Sequence, residues 1–159
     1  IELLHPAAVG WGSVVNPFAW EEIDYTLRPT AHRYETGSPA FAPIIAVGTG
    51  LSMLHELGIE AIHDRVTSLG DRFAAGIVEA GCTIVSPRGS TEQKSGAVCF
   101  TPPGDAEAAK SLYETLSKEH ATELASRCGR VRFAPHFYNT EEQVDRVVER
   151  VSSVIHASG

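Results

Sequence analysis

The sequence predicts a small two-layer α/β domain of the α+β kind, with about four short strands and helices packed on one face. Three observations carry this. From residue 40 onward, apolar residues recur at three- and four-residue steps in several stretches, which is the helical period. Short apolar runs of strand length interrupt them, giving the order helix, helix, strand, strand, helix, strand, strand, helix. Residues 1–39 show no period at all, so the boundary is drawn between 1–39 and 40–159.

Pro6, Pro17, Pro29 and Pro39 punctuate the first segment, and Trp11, Phe18, Trp20, Tyr25 and Tyr34 are scattered along it. Aromatics without a period need another surface to pack on, so this segment reads as wrapping over a larger body. The first helix places Ile44, Val47, Gly48, Leu51 and Leu54 on one stripe, with Pro43 in its first turn and Gly58 as its stop. A second helix carries Ile62, Val66, Leu69, Phe73 and Ile77 on one face and ends at Gly81. Cys82 to Ser86 and Gly96 to Thr101 read as strands around the polar loop 87–95. A third helix starts near Asp105, with Ala109, Leu112, Tyr113 and Leu116 inward. A weak strand at Ala121 to Ala125 and a strong one at Val131 to Ala134 complete the sheet. The last helix opens on the capping box Thr140-Glu141-Glu142-Gln143 and buries Val144, Val147, Val148, Val151 and Ile155. Its charge run, Glu141 to Arg150, reads as a solvated face.

The 159 residues carry a net charge of −7 and a pI near 5.4, against the basic stripe that a nucleic-acid surface needs. No apolar run is long enough to span a bilayer, and a cytoplasmic protein is the expectation. Cys82, Cys99 and Cys128 form no CxxC pair, and no HxH or HExxH occurs, so neither a zinc site nor a disulfide framework is expected. Cys82 and Cys99 sit in apolar runs and read as buried fillers. The start, Ile1-Glu2-Leu3-Leu4, has neither Met nor a basic n-region; it reads as the interior of a longer polypeptide.

Two places could carry chemistry. Arg132 stands between Val131 and Phe133 in an apolar strand, where a guanidinium is costly unless an anion meets it; a carboxylate ligand fits its fork. The alternative is an arginine on the outward side of an alternating strand. Ser38, after Gly37 and before Pro39, offers a hydroxyl and free amides to a phosphate, or is a plain helix N-cap. His136, close to Arg132 in sequence, could support it. Lys94, Lys110 and Lys118 sit in polar settings, unlike a lysine tuned for imine chemistry.

Several segments resemble class V aminotransferases, pyridoxal-phosphate enzymes of fold type I, nearest the isopenicillin N epimerase-like and cysteine desulfurase-like branch. They are Val9-Gly10-Trp11-Gly12-Ser13-Val14, Tyr34-Glu35-Thr36-Gly37-Ser38-Pro39, Leu57-Gly58-Ile59-Glu60-Ala61-Ile62, and Val131 through Glu142. The resemblance implies that residues 40–159 are the small C-terminal domain and that 1–39 end the large one. It implies that Arg132 holds the substrate α-carboxylate, with Arg127 a second active-site arginine. Trp11 would lie near the substrate, and Gly37 and Ser38 would bind the cofactor phosphate of the neighbouring subunit in a homodimer. The implied substrate is a small amino acid or amine, and the reaction a transamination, epimerisation, elimination or desulfuration. The lysine that forms the Schiff base lies upstream of the Gly-Trp segment in the family and is absent here, so the isolated chain is expected to be inactive. The cysteine-bearing loop of desulfurases is also absent: Arg127 and Arg132 are close together, and Cys128 takes no persulfide role. A non-catalytic ligand-sensing or assembly module is the alternative reading.

Overall fold

The computed structural model describes residues 3–22 and 24–157. It divides into two compact units, Ile1–Met53 and Leu54–Gly159, so the division falls downstream of residue 39, inside the first helix.

The first unit is irregular chain held by backbone bonds. Trp11–Ser13 and Ala31–Tyr34 form single 3-10 turns, and Val14 bridges Leu27 in antiparallel fashion. Arg28 donates from Nε to the Val14 carbonyl at 2.9 Å, and Arg33 does the same to the Arg28 carbonyl at 2.8 Å. Helix α1, Phe41–Leu57, follows and takes in the start of the second unit. It begins three residues after Ser38, so Ser38 is not its N-cap and Pro39 is not its first residue. None of its residues is buried: the stripe expected at Ile44, Val47 and Leu51 is uncovered. The Thr49 and Ser52 hydroxyls donate back to the carbonyls of Ile45 and Gly48 at 3.0 and 3.1 Å.

The second unit has its own core. Helix α2 spans Ile59–Glu79; β1 is Thr83–Ile84, β2 Val98–Thr101, α3 Ala106–His120, β3 Ala125–Arg127, β4 Arg130–Phe133 and α4 Glu141–Ala157. The strands form one antiparallel sheet in the order β1-β2-β4-β3. Helices cover one face, where Val98, Phe100, Val131 and Phe133 meet Leu69, Phe73 and Ile77 of α2, Leu112 and Leu116 of α3, and Val144 and Val151 of α4. Phe73, fully buried, stacks on Phe133 at 4.0 Å and meets Phe100 edge-on at 5.5 Å between ring centroids. Such pairs add about 0.5–1.5 kcal/mol each beyond burial.

Helix ends follow the expected chemistry. Asp105 accepts from the amides of Glu107 and Ala108. Thr140 and Gln143 exchange both capping-box bonds, at 3.2 and 3.0 Å. Two expectations need correcting. Residues 121–124 are not strand but the ending of α3: Ala121 takes φ +45°, and it and Thr122 both donate to the Leu116 carbonyl, which delays β3 to Ala125. Nor is the charged face of α4 merely solvated. Arg72 of α2 grips Asp145 through Nε and Nη2 at 2.6 and 2.7 Å and reaches Glu141, which also accepts from Arg65.

Candidate functional site

The residues singled out in the sequence gather in two places, one in each unit. In the first unit, Gly10-Trp11-Gly12-Ser13 lies against Glu35-Thr36-Gly37. Gly12 donates its amide to the Thr36 carbonyl at 3.3 Å. The fully buried Ser13 hydroxyl bridges the strands, donating to the Glu35 carbonyl and accepting from the Gly10 amide, both at 3.2 Å. Glycine is required here by close approach: a Cβ on Gly10 would land on the Thr36 carbonyl oxygen, and one on Gly12 would stand 2.7 Å from the Glu35 oxygen. The two segments therefore form one piece of backbone. Trp11, 45% exposed, leans on Phe18 at 5.9 Å between ring centroids, with its indole nitrogen toward Gly37. Ser38 is exposed, and neither its hydroxyl nor the amides of Gly37 and Ser38 have a partner among the described residues. Free amides, a hydroxyl and a glycine permitting close approach are a donor set that suits a phosphate group.

In the second unit, strand alternation sends Val131 and Phe133 into the core and Arg130 and Arg132 to the sheet face without helices. This corrects the premise of a buried guanidinium: Arg132 is exposed and incurs no burial cost. Pairing then assembles a cluster. Arg132 sits between Cys99 of β2 and Ala125 of β3, and Arg130 stands directly across from Arg127. Cys128 and Gly129 join β3 to β4 with φ of +51° and +69°; positive values at both central residues define the tight hairpin that fixes this register. The side chains of Arg127, Arg130 and Arg132 have no hydrogen-bond or ion-pair partner among the described residues. They border a shallow depression of about 230 Å³ together with Cys99, Ala125 and Cys128. Small residues on both sides of Arg132 leave its fork accessible, and a fork without an internal acid can grip a carboxylate through two parallel bonds.

The other expected groups are placed elsewhere. Cys99 is not a buried filler but lies half-exposed beside Arg132; Cys82 is buried, and burial pushes its thiol up to about 11. The His136 ring stacks on Tyr138 at 4.2 Å, its amide donates to Asn139, and nothing links it to Arg132. All three lysines are in ion pairs: Lys94 with Asp71, Lys110 with Glu107, Lys118 with Glu114. The Glu114 hydrogen bond and charge raise the Lys118 pKa, the opposite of what imine formation needs. Each unit thus offers one set of donors, Gly37 and Ser38 for a phosphate in the first and Arg132 for a carboxylate in the second, and all three lysines are engaged with carboxylates. Among the described residues, no cluster of His, Cys, Asp and Glu could hold a metal ion, and no single helix is long and apolar enough to cross a membrane. Sequence reasoning missed Arg130. The signal was present: a strand reading Arg-Val-Arg, one turn after another arginine, puts all three on one face.

The chain resembles known proteins over nearly all its length. The family described as Aminotransferase class-V matches residues 2–147. The uncharacterised aminotransferase YcbU of Bacillus subtilis is 27% identical over 152 residues, covering 96% of this chain and 38% of YcbU. A probable cysteine desulfurase of Synechocystis is 23% identical, covering 94% of this chain and 38% of its own. Among solved structures, the cysteine desulfurase of Thermococcus onnurineus superposes with a TM-score of 0.77 at 20% identity, over 98% of this chain and 40% of the other. The cystine C-S lyase C-DES, solved with its product cysteine persulfide, gives 0.72 at 17% identity, over 94% and 38%. These structural likenesses share the α+β fold with its four-stranded antiparallel sheet, and the chain spans well under half the length of each relative. With the family matched from residue 2 to residue 147, this chain belongs to the class-V aminotransferases.

Proposed function

We propose that the chain forms part of a pyridoxal-phosphate enzyme acting on a small amino acid or amine, and that Arg132 orients the substrate by its α-carboxylate. The observation that carries this is the unpaired arginine face in an acidic chain: the net charge is −7, yet no carboxylate among the described residues meets Arg132. Gripping both carboxylate oxygens fixes the rotation of the α-carbon, so that one chosen bond stands in line for cleavage. Arg127 adds positive charge on the same face. In the first unit, the Gly37 and Ser38 amides and the Ser38 hydroxyl hold the cofactor phosphate, in a homodimer that of the neighbouring subunit, and Trp11 offers an aromatic wall to the substrate. When bound, the cofactor supplies the electron sink for bonds at the α-carbon. The lysine that carries it belongs to polypeptide outside this chain, as does the choice among transamination, epimerisation and elimination. The assignment of 1–39 to a large domain and 40–159 to a small one, and a cytoplasmic location, belong to the same reading.

The test uses the complete enzyme with Arg132→Met and Arg132→Lys. Losing a charge-assisted bidentate contact costs about 1.5–3 kcal/mol, or roughly 10- to 150-fold in amino-acid affinity. Lysine restores charge without the fork and should recover only part. Amino-acid affinity unchanged in Arg132→Met removes the reading. Ser38→Ala should weaken retention of the cofactor during dialysis while leaving the fold intact.

A further inference from the structure

Arg28, Arg33, Arg65, Arg72, Arg88 and Arg150 each donate to a carbonyl, carboxylate or hydroxyl of the chain itself. Among the described residues, Arg127, Arg130 and Arg132 do not, and neither does Arg146, which stands alone on the exposed side of α4; only the first three lie together, although the sequence holds 20 acidic residues to place opposite them. The arrangement is unfavourable without a ligand. Arg127 and Arg130 are direct cross-strand partners with backbones about 5.5 Å apart, and like charges so placed destabilise a sheet. The Cys128–Gly129 turn allows no slip that would separate them. One substrate carboxylate on Arg132 would leave two guanidinium charges uncompensated.

We propose that Arg127 and Arg130 form a second anion subsite beside Arg132, so that the amino acid bound here carries a carboxylate at the end of its side chain. This rests on the reading of Arg132 given above and goes beyond it in naming the substrate class. Arg130 and Arg132 lie two residues apart on one strand, so their side chains leave the sheet about 7 Å apart. A chain of four or five carbons with a carboxylate at each end spans that separation. The depression is of matching scale, about 230 Å³, and Cys99 and Ala125 keep its floor low around Arg132. A neutral side chain would gain nothing from the Arg127–Arg130 pair.

The test is equilibrium binding to the complete enzyme of L-glutamate against L-glutamine, which have the same shape and differ in side-chain charge, by calorimetry. Wild type should prefer glutamate by about 10-fold or more. Arg130→Met should abolish that preference by weakening glutamate while leaving glutamine unchanged, and Arg130→Lys should restore part of it. Circular dichroism identical to wild type confirms that an exposed strand position tolerated the change. Arg132→Met should weaken both ligands equally. Equal affinity for glutamate and glutamine in wild type, or an equal loss of both in Arg130→Met, overturns the subsite while leaving Arg132 standing. A change in sedimentation of Arg130→Met without a change in glutamate affinity also overturns it, because the face then meets an acidic protein surface. If Arg132→Met alters neither ligand, it is the underlying carboxylate reading that falls.

Discussion

Replacing Gly76 with alanine sets two effects of similar size against each other at the α2–α4 contact, which holds α4 against the helical layer behind the sheet. Alanine is favoured over glycine inside a helix by about 0.8–1 kcal/mol. Yet a Cβ on Gly76 would stand 2.6 Å from Val148 Cγ1, 3.0 Å from Cγ2 and 3.3 Å from Cβ. Val148 is β-branched within α4 and holds one strongly preferred rotamer, so neither methyl can swing aside. Overpacking of this kind costs about 1–3 kcal/mol, so the clash outweighs the propensity gain and Gly76→Ala destabilises by about 1 kcal/mol. In a Val148→Ala background both methyl clashes disappear, leaving only the 3.3 Å approach to the remaining Cβ, and the same substitution should stabilise. The two effects differ in sign, which makes the coupling energy about 1–3 kcal/mol. Urea denaturation followed by circular dichroism reads this directly. With a slope of about 1–3 kcal/mol/M, the single variant should lower the midpoint by several tenths molar. Gly76→Ala stabilising the wild-type background, or a coupling energy indistinguishable from zero, would refute the packing argument.

Three further outcomes follow from the ion pairs and burial. The Arg72 hydrogen bond and charge hold the Asp145 carboxyl below its ordinary value, so this contact stabilises above the unfolded pKa and is lost as pH falls through the lower folded one. Wild type should therefore lose stability on acidification more steeply than Asp145→Asn, with the two denaturation curves converging at the acid end. Thiol reagents should modify exposed Cys128 first and buried Cys82 last; equal rates by peptide mapping would contradict the core placement of Cys82. Pyridoxal phosphate followed by borohydride should label no single lysine preferentially, since each amine is hydrogen-bonded to a carboxylate; one dominant labelled peptide would show a lysine tuned for imine chemistry.

The fold was legible wherever a residue's own chemistry acts locally. Gly58 and Gly81 both adopt φ of +85° where the sequence stops its first two helices, and Thr140 and Gln143 form the capping box they spell. What failed depends on partners far along the chain. Glu141 and Asp145 read as solvated because nothing in α4 itself announces Arg65 and Arg72, more than sixty residues upstream. The start of β3 was misplaced because helix-ending bonds by Ala121 and Thr122 compete with extended structure, a contest that hydrophobicity does not record. At the site, the nearness of the Gly-Trp-Gly-Ser and Glu-Thr-Gly segments needed three dimensions to see. Arg132 stood out in the sequence for a burial it does not have; its face is set by parity along β4, which also brings in Arg130.

Helix α1 imposes a condition of its own. From Phe41 to His55 it has no acidic, lysine or arginine side chain, and its two hydroxyl residues spend their donors on their own backbone. It is therefore a spindle rather than a wedge, greasy around its whole girth. A flat neighbour can shield only about half of such a cylinder, so covering it in full would take surfaces on opposite sides. No direction along that spindle is a harmless place for a charge.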